Sequence, residues 1–139
     1  MNQLLQTGIS SKQFSLLLQI IRHFGVKNML IDDENLQKIL NSVFKNIQIE
    51  SNFDLEMKTK KYDLIFLKNS LKTSCPTSFL TCMHNDSVLI LNDIHTKMNK
   101  PHWRKIVQHH QTTACVDTFK QGYAFIRKEQ KKELFFVKV

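Results

Sequence analysis

Only three glycines, Gly8, Gly25 and Gly122, occur in this 139-residue chain. A phosphate-cradling turn of the P-loop or G-x-G-x-x-G type needs several within a few residues, so that backbone can approach a ligand with no Cβ in the way. None can be assembled here. The G-x-S-x-G turn that presents a nucleophilic serine is missing too. No stretch approaches the roughly 18 consecutive apolar residues of a membrane span. The amino end, MNQLLQTGISSK, lacks the basic-then-apolar layout of a secretory signal. A cytoplasmic protein with no membrane partner is expected. Cysteine is scarce and odd in number, with Cys75, Cys82 and Cys115. On a shared helix Cys75 and Cys82 would lie roughly 10 Å apart, beyond disulfide reach, so buried free thiols are expected. His95, His102, His109 and His110 form no H-x-x-x-H pair and have no Glu beside them, which argues against a built metal site.

What is present suits one domain. A hydrophobic content of 42% is enough for a single core, and no linker or repeat divides residues 1–139. The net charge of +8 is unevenly spread. Residues 97–139 carry ten Lys or Arg against Asp117, Glu129 and Glu133, a balance of +7, whereas residues 1–96 carry ten against nine, a balance of +1. This asymmetry fits either a solvated lysine-rich surface or a face for nucleic acid or another polyanion.

Periodicity supplies the elements. Ser10 or Ser11 can cap a helix with Phe14, Leu17, Leu18 and Ile21 on one face, stopped at Gly25. Asn28 to Ile31 reads as a strand. A second amphipathic helix follows from about Asp33 to Phe44, with Leu36, Ile39, Leu40 and Val43 on one face and acids at its favourable amino end. Lys45 to Glu50, Tyr62 to Leu67 and Ser87 to Leu91 read as further strands. A short helix is expected from Pro76 to about Met83 and another from Pro101 to His110. Continuous apolar strands separated by helices predict a parallel sheet covered on both faces. The last three strand-like segments, Thr112 to Asp117, Gly122 to Arg127 and Glu133 to Lys138, are joined by loops too short for helices, so antiparallel pairing is expected among them. The predicted fold class is α/β, a Rossmann-like doubly wound sheet, mostly parallel, with antiparallel C-terminal strands. Ligands of such sheets bind beyond the carboxyl ends of the strands, here Asp32 and Asp33, Ser51 to Asp54, Lys68 to Ser70, and Asn92 to His95.

The order YDLIFLKNS, HNDSVLILNDIH, PHW and TTACVDTFKQGYAFIRKEQKKELFFVKV resembles the second half of bacterial class I S-adenosylmethionine-dependent methyltransferases. The family shows YDLIFIDG, VLIFDDIH and VTIDLFxxGxxFxRK at these places. The likeness covers residues 62–139 well and residues 1–61 loosely. Within the loose part, SLLLQIIRHFGVKNMLI is similar to the helix that leads into the first strand, and the following segments to the second and third strands. A strand ending in an E-x-G-x-G loop, with its helix, has no counterpart, so the chain resembles a shortened, degenerate member.

The resemblance implies S-adenosylmethionine as cofactor, with Asp32 toward the ribose, Asn52, Phe53 and Asp54 near the adenine, and Asn92 at the pocket edge. Asp93 and His95 fall where the family's catalytic rim lies, His95 as a candidate base. Each has a plainer reading: Asp32 as a helix cap, Asn52 to Asp54 as a strand-end turn, and Asp93 as the ion-pair partner of Lys68. Lys68 stands where metal-using relatives carry Asp, and a cation cannot ligate a divalent ion. The expectation is therefore a noncatalytic pseudoenzyme that binds no cofactor and serves as a binding or partner module. Losing a strand and helix should expose a sheet edge for a homodimer or protein partner. The alternatives are an active methyltransferase with an atypical or partner-completed site, and a nucleic-acid-binding protein working through the basic C-terminal third.

Overall fold

A computed structural model of the chain describes residues 9–51, 60–68, 76–129 and 131–137. Helix α1 spans Ser11–His23. The Ser10 hydroxyl accepts the Gln13 N–H, and the Gln13 side chain accepts the Ser10 N–H, both at 3.1 Å. This reciprocal pair is a capping box. At the other end Gly25 takes φ +58°, a left-handed stop that favours a residue without Cβ.

Strand β1 (Asn28–Ile31) leads into α2 (Glu34–Val43), then β2 (Gln48–Glu50) and β3 (Tyr62–Leu67). The 3-10 turns of Pro76–Cys82 precede β4 (Met83–Asn92), a strand longer than its apolar run because His84 to Asp86 extend it at the polar end. Helix α3 (Lys100–Gln108) is followed by β5 (Ala114–Asp117), β6 (Gln121–Phe125) and β7 (Glu133–Phe136). The seven strands form one sheet in the order β2-β1-β3-β4-β6-β5-β7. β1 pairs parallel with β2 and β3, and β3 parallel with β4. β6 lies antiparallel between β4 and β5.

One expectation is corrected by the sheet order. β7 does not pair antiparallel with β6. Both sides of β6 are already taken by β4 and β5, so the chain passes over β5 and adds β7 to its outer edge in parallel. β1 pairs directly with β3 in parallel. Among the described residues, the edge strands of the sheet are β2 and β7.

Helices cover both faces. On one, α1 and α2 bury Leu17, Ile21, Leu36 and Leu40 against Met29, Ile31, Leu64, Phe66, Val88 and Ile90. On the other, α3 and the 3-10 segment bury Trp103, Ile106, Phe79 and Leu80 against Leu30, Ile65, Leu67, Leu89 and Leu91. Both sets of alternating strand residues are fully buried, which is why β3 and the latter half of β4 are nearly continuous in apolar residues. Gly122 allows the Trp103 ring to lie flat on β6, since a Cβ there would come within 2.5 Å of it.

Candidate functional site at the carboxyl edge of the sheet

From β1 the chain steps outward to β2, then returns past β1 to β3 and proceeds the other way to β4. The direction of winding thus reverses between β1 and β3, and the crevice beyond their carboxyl ends is where open α/β sheets bind ligands. In this protein that crevice is spanned by side chains. The Lys68 N–H donates to Asp32 Oδ1 at 2.6 Å, and the Asp32 N–H donates to the Phe66 carbonyl at 3.3 Å. The Lys68 ammonium donates to Asp33 Oδ2 at 2.8 Å, while Asp33 Oδ1 accepts the Leu36 N–H at 3.0 Å. Burial alone would raise the Asp33 carboxyl, but the Lys68 ammonium and the Leu36 N–H outweigh it and hold the group below its ordinary value.

This lock changes two assignments. The cap of α2 is Asp33, not Asp32, because Asp32 is turned across the sheet to Lys68. The partner of Lys68 is Asp33 rather than Asp93.

Asn92 is 1% exposed and faces inward. Its Oδ1 accepts the Gln121 amide at 3.1 Å, and Gln121 Oε1 accepts the Tyr123 hydroxyl at 2.8 Å. Asn92 therefore ties β4 to β6 at their paired ends, where Asn92 lies opposite Gln121. Asn52, Phe53 and Asp54 lie outside the described residues.

The most developed polar arrangement lies beyond β4 and the β5–β6 turn. His95 Nε2 sits 2.9 and 3.0 Å from the two oxygens of Asp117, whose side chain is only 3% exposed. Asp117 Oδ1 also accepts the Phe119 N–H at 2.8 Å, and the Phe119 ring stacks on His95 at 6.1 Å between centroids. The imidazole is thereby fixed by a buried carboxylate and leaves its own side chain 42% exposed, the geometry of an oriented base. Asp93 and Phe119 both adopt positive φ, +52° and +72°. Asp tolerates that region; a phenylalanine there is strained, and its bond to Asp117 and its stack on His95 hold it. Strain of this kind collects at functional sites.

Beside this pair, a cavity of about 330 Å³ opens between the amino end of α1 and these turns, lined by Ser10, Lys12, Gln13, Leu16, Asp93, Thr118, Lys120 and Gln121. The structure thus brings Asp93 to a cleft and pairs His95 with Asp117, a residue that sequence reasoning did not single out. The signal was available: Asp117 ends β5 in the segment VDTF, and an antiparallel β6 returns that end to the side of β4. At the opposite edge of the sheet His84 Nε2 lies 2.6 Å from Asp63 Oδ1, but Asp63 also accepts the backbone N–H groups of Lys27 and Asn28. That pair fastens strand starts together. Among the described residues, no three His, Cys, Asp or Glu side chains converge as metal ligands, and no helix is long and apolar enough to cross a membrane.

This strand order, with helices on both faces and an antiparallel end, is the Rossmann-like fold of class I S-adenosylmethionine-dependent methyltransferases. Two solved structures share it. One is a Klebsiella pneumoniae protein assigned as an O-methyltransferase, with 11% identity over 91% of this chain and 87% of that one, and a TM-score of 0.60. The other is a Staphylococcus aureus protein assigned as a caffeoyl-CoA O-methyltransferase, with 15% identity over 85% of this chain and 84% of that one, and a TM-score of 0.58. No family model and no curated protein sequence matches the chain.

Proposed function

We propose that this protein is a methyltransferase-like binding module that does not catalyse methyl transfer and does not hold S-adenosylmethionine at the switch point of its sheet. The observation that carries this reading is the Asp32–Lys68–Asp33 lock. A nucleoside seated between β1 and β3 needs small residues and free backbone donors at the first strand-to-helix turn. Here that turn is Asp32-Asp33-Glu34, the carboxylates of Asp32 and Asp33 are engaged by Lys68 and by the start of α2, and the chain has no glycine there. The residues present do not fit the cofactor.

The test is isothermal titration of the chain with S-adenosylmethionine and with its demethylated product. No saturable heat is expected through the micromolar range. A micromolar dissociation constant for either would remove the noncatalytic reading.

One observation favours a second reading, an active methyltransferase with a displaced or partner-completed cofactor site. The His95–Asp117 pair beside the cavity at Asp93 is arranged as a base would be. Its support would be methyl transfer by the chain with an added partner, lost on His95→Ala while the fold is retained.

A further inference from the structure

The sheet ends in an unusual edge. In β7 every described residue is exposed, including Leu134 and Phe135 at 43% and Phe136 at 64%, followed by Val137 at 44%. The Glu133 and Val137 N–H groups donate to the Thr113 and Asp117 carbonyls on the β5 side. Strand groups alternate in direction with a period of two, so the N–H and C=O of Leu134 and Phe136 point outward from the sheet. An edge of this kind is a template for another strand. Beside it, Phe135 closes a groove of about 260 Å³ with Phe24, Val116 and Phe125, and Arg127 at its rim. Phe24, the residue that ends α1, packs its ring 6.3 Å from that of Phe125 and forms one wall of the groove.

We propose that β7 is a docking edge for an extended, acidic segment of another protein, which adds as a strand beyond β7. The proposal names the partner class of the binding module read above, and in that sense rests on that reading. Charge selects the occupant. The segment between β6 and β7 supplies Arg127, Lys128, Lys131 and Lys132 against Glu129, with Arg127 lying 3.8 Å from Asp86 at the groove and Glu133 opening β7, so Lys128, Lys131 and Lys132 carry the excess; residues 97–139 as a whole carry a balance of +7. Lys132 reaches the His109 carbonyl, and its charge joins burial and His110 in depressing the His109 imidazole. A second copy pairing edge to edge would bring two such basic segments together, which disfavours self-association. An acidic strand would meet the lysines with its carboxylates and the exposed Leu134 and Phe136, which share one face of β7, with alternate apolar side chains, the usual pattern of strand addition. Nucleic acid would satisfy the lysines but could not use the outward pairs of backbone donor and acceptor.

The experiment uses the full chain and a labelled ten-residue peptide alternating valine with glutamate, read by fluorescence anisotropy. The lysine counterpart of the peptide and a poly-uridine oligonucleotide serve as competitors. Binding of the glutamate peptide at least ten-fold tighter than the lysine peptide is expected. Phe136→Pro removes one outward N–H without touching a bond to β5, and should weaken the peptide at least ten-fold while circular dichroism stays unchanged. Phe136→Glu, which keeps the backbone donor, should weaken it through charge. Equal affinity for both peptides, displacement by the oligonucleotide at equal concentration, or a dimer of the chain alone at tens of micromolar that Phe136→Pro dissolves would each overturn the proposal. None of these outcomes depends on the methyl-donor titration, so the two readings fail separately.

Discussion

Replacing Lys68 by methionine tests the lock at the switch point directly. Methionine retains most of the apolar stem and removes only the ammonium, so the change isolates the bond to Asp33 at 2.8 Å. A hydrogen bond to a charged partner contributes about 1.5–3 kcal/mol when it is buried. The Lys68 side chain is 27% exposed and that of Asp33 10%, and solvent screening brings the expected loss to about 1–2 kcal/mol. For a chain of this size that corresponds to a fall in Tm of about 3–8 °C at pH 7. The pH dependence fixes the cause. Asp33 is held below its ordinary value of 3.8 in the folded state, so its contribution is present above that value and is lost as pH falls through the lower folded one. Urea midpoints for the native and Lys68→Met proteins should therefore differ at neutral pH and converge as pH drops below about 3.8. Equal stability at pH 7, or a gap that persists undiminished at pH 2.5, would refute the assignment of this pair as the element that closes the crevice.

Gly122→Ala would put a Cβ 2.5 Å from the Trp103 ring, an overpacking that costs about 1–3 kcal/mol; a red-shifted tryptophan emission with lower stability checks it, and unchanged emission would count against it. Ser10→Ala opens the capping box of α1 and should cost about 0.5–2 kcal/mol in chemical denaturation, with Ser10→Asp recovering most of it. Burial pushes the Cys115 thiol up to about 11, so at pH 8 Cys115 should resist alkylation in the folded protein and react at the rate of unfolding. Mass mapping of the labelled peptide, with rapid modification in native buffer as the contrary result, decides it.

Much of the fold was legible because local and tertiary preferences agree. The apolar face of Phe14, Leu17 and Ile21, the cap at Ser10 and the stop at Gly25 all name the same helix, and Tyr62–Leu67 is a strand by its apolar run alone. The position of β7 was not legible. Short loops favour antiparallel neighbours, but they say nothing of whether the preceding strand has a free side, and β6 has none. The site was legible as an edge and not as a set of partners. Asp32, Lys68, Asn92, Asp93 and His95 were visible as strand-end residues. That Lys68 turns to Asp33, that Asn92 turns inward to Gln121, and that His95 meets Asp117 depend on strand register across the sheet, which no local pattern encodes.

The chain has a methyltransferase-like fold, and charged side chains of its own span the crevice between β1 and β3. Calorimetric titration of the chain with S-adenosylmethionine measures this most directly. No saturable binding is expected through the micromolar range; a micromolar site, with the nucleoside located against Asp32 in a soaked crystal, would contradict the closed crevice.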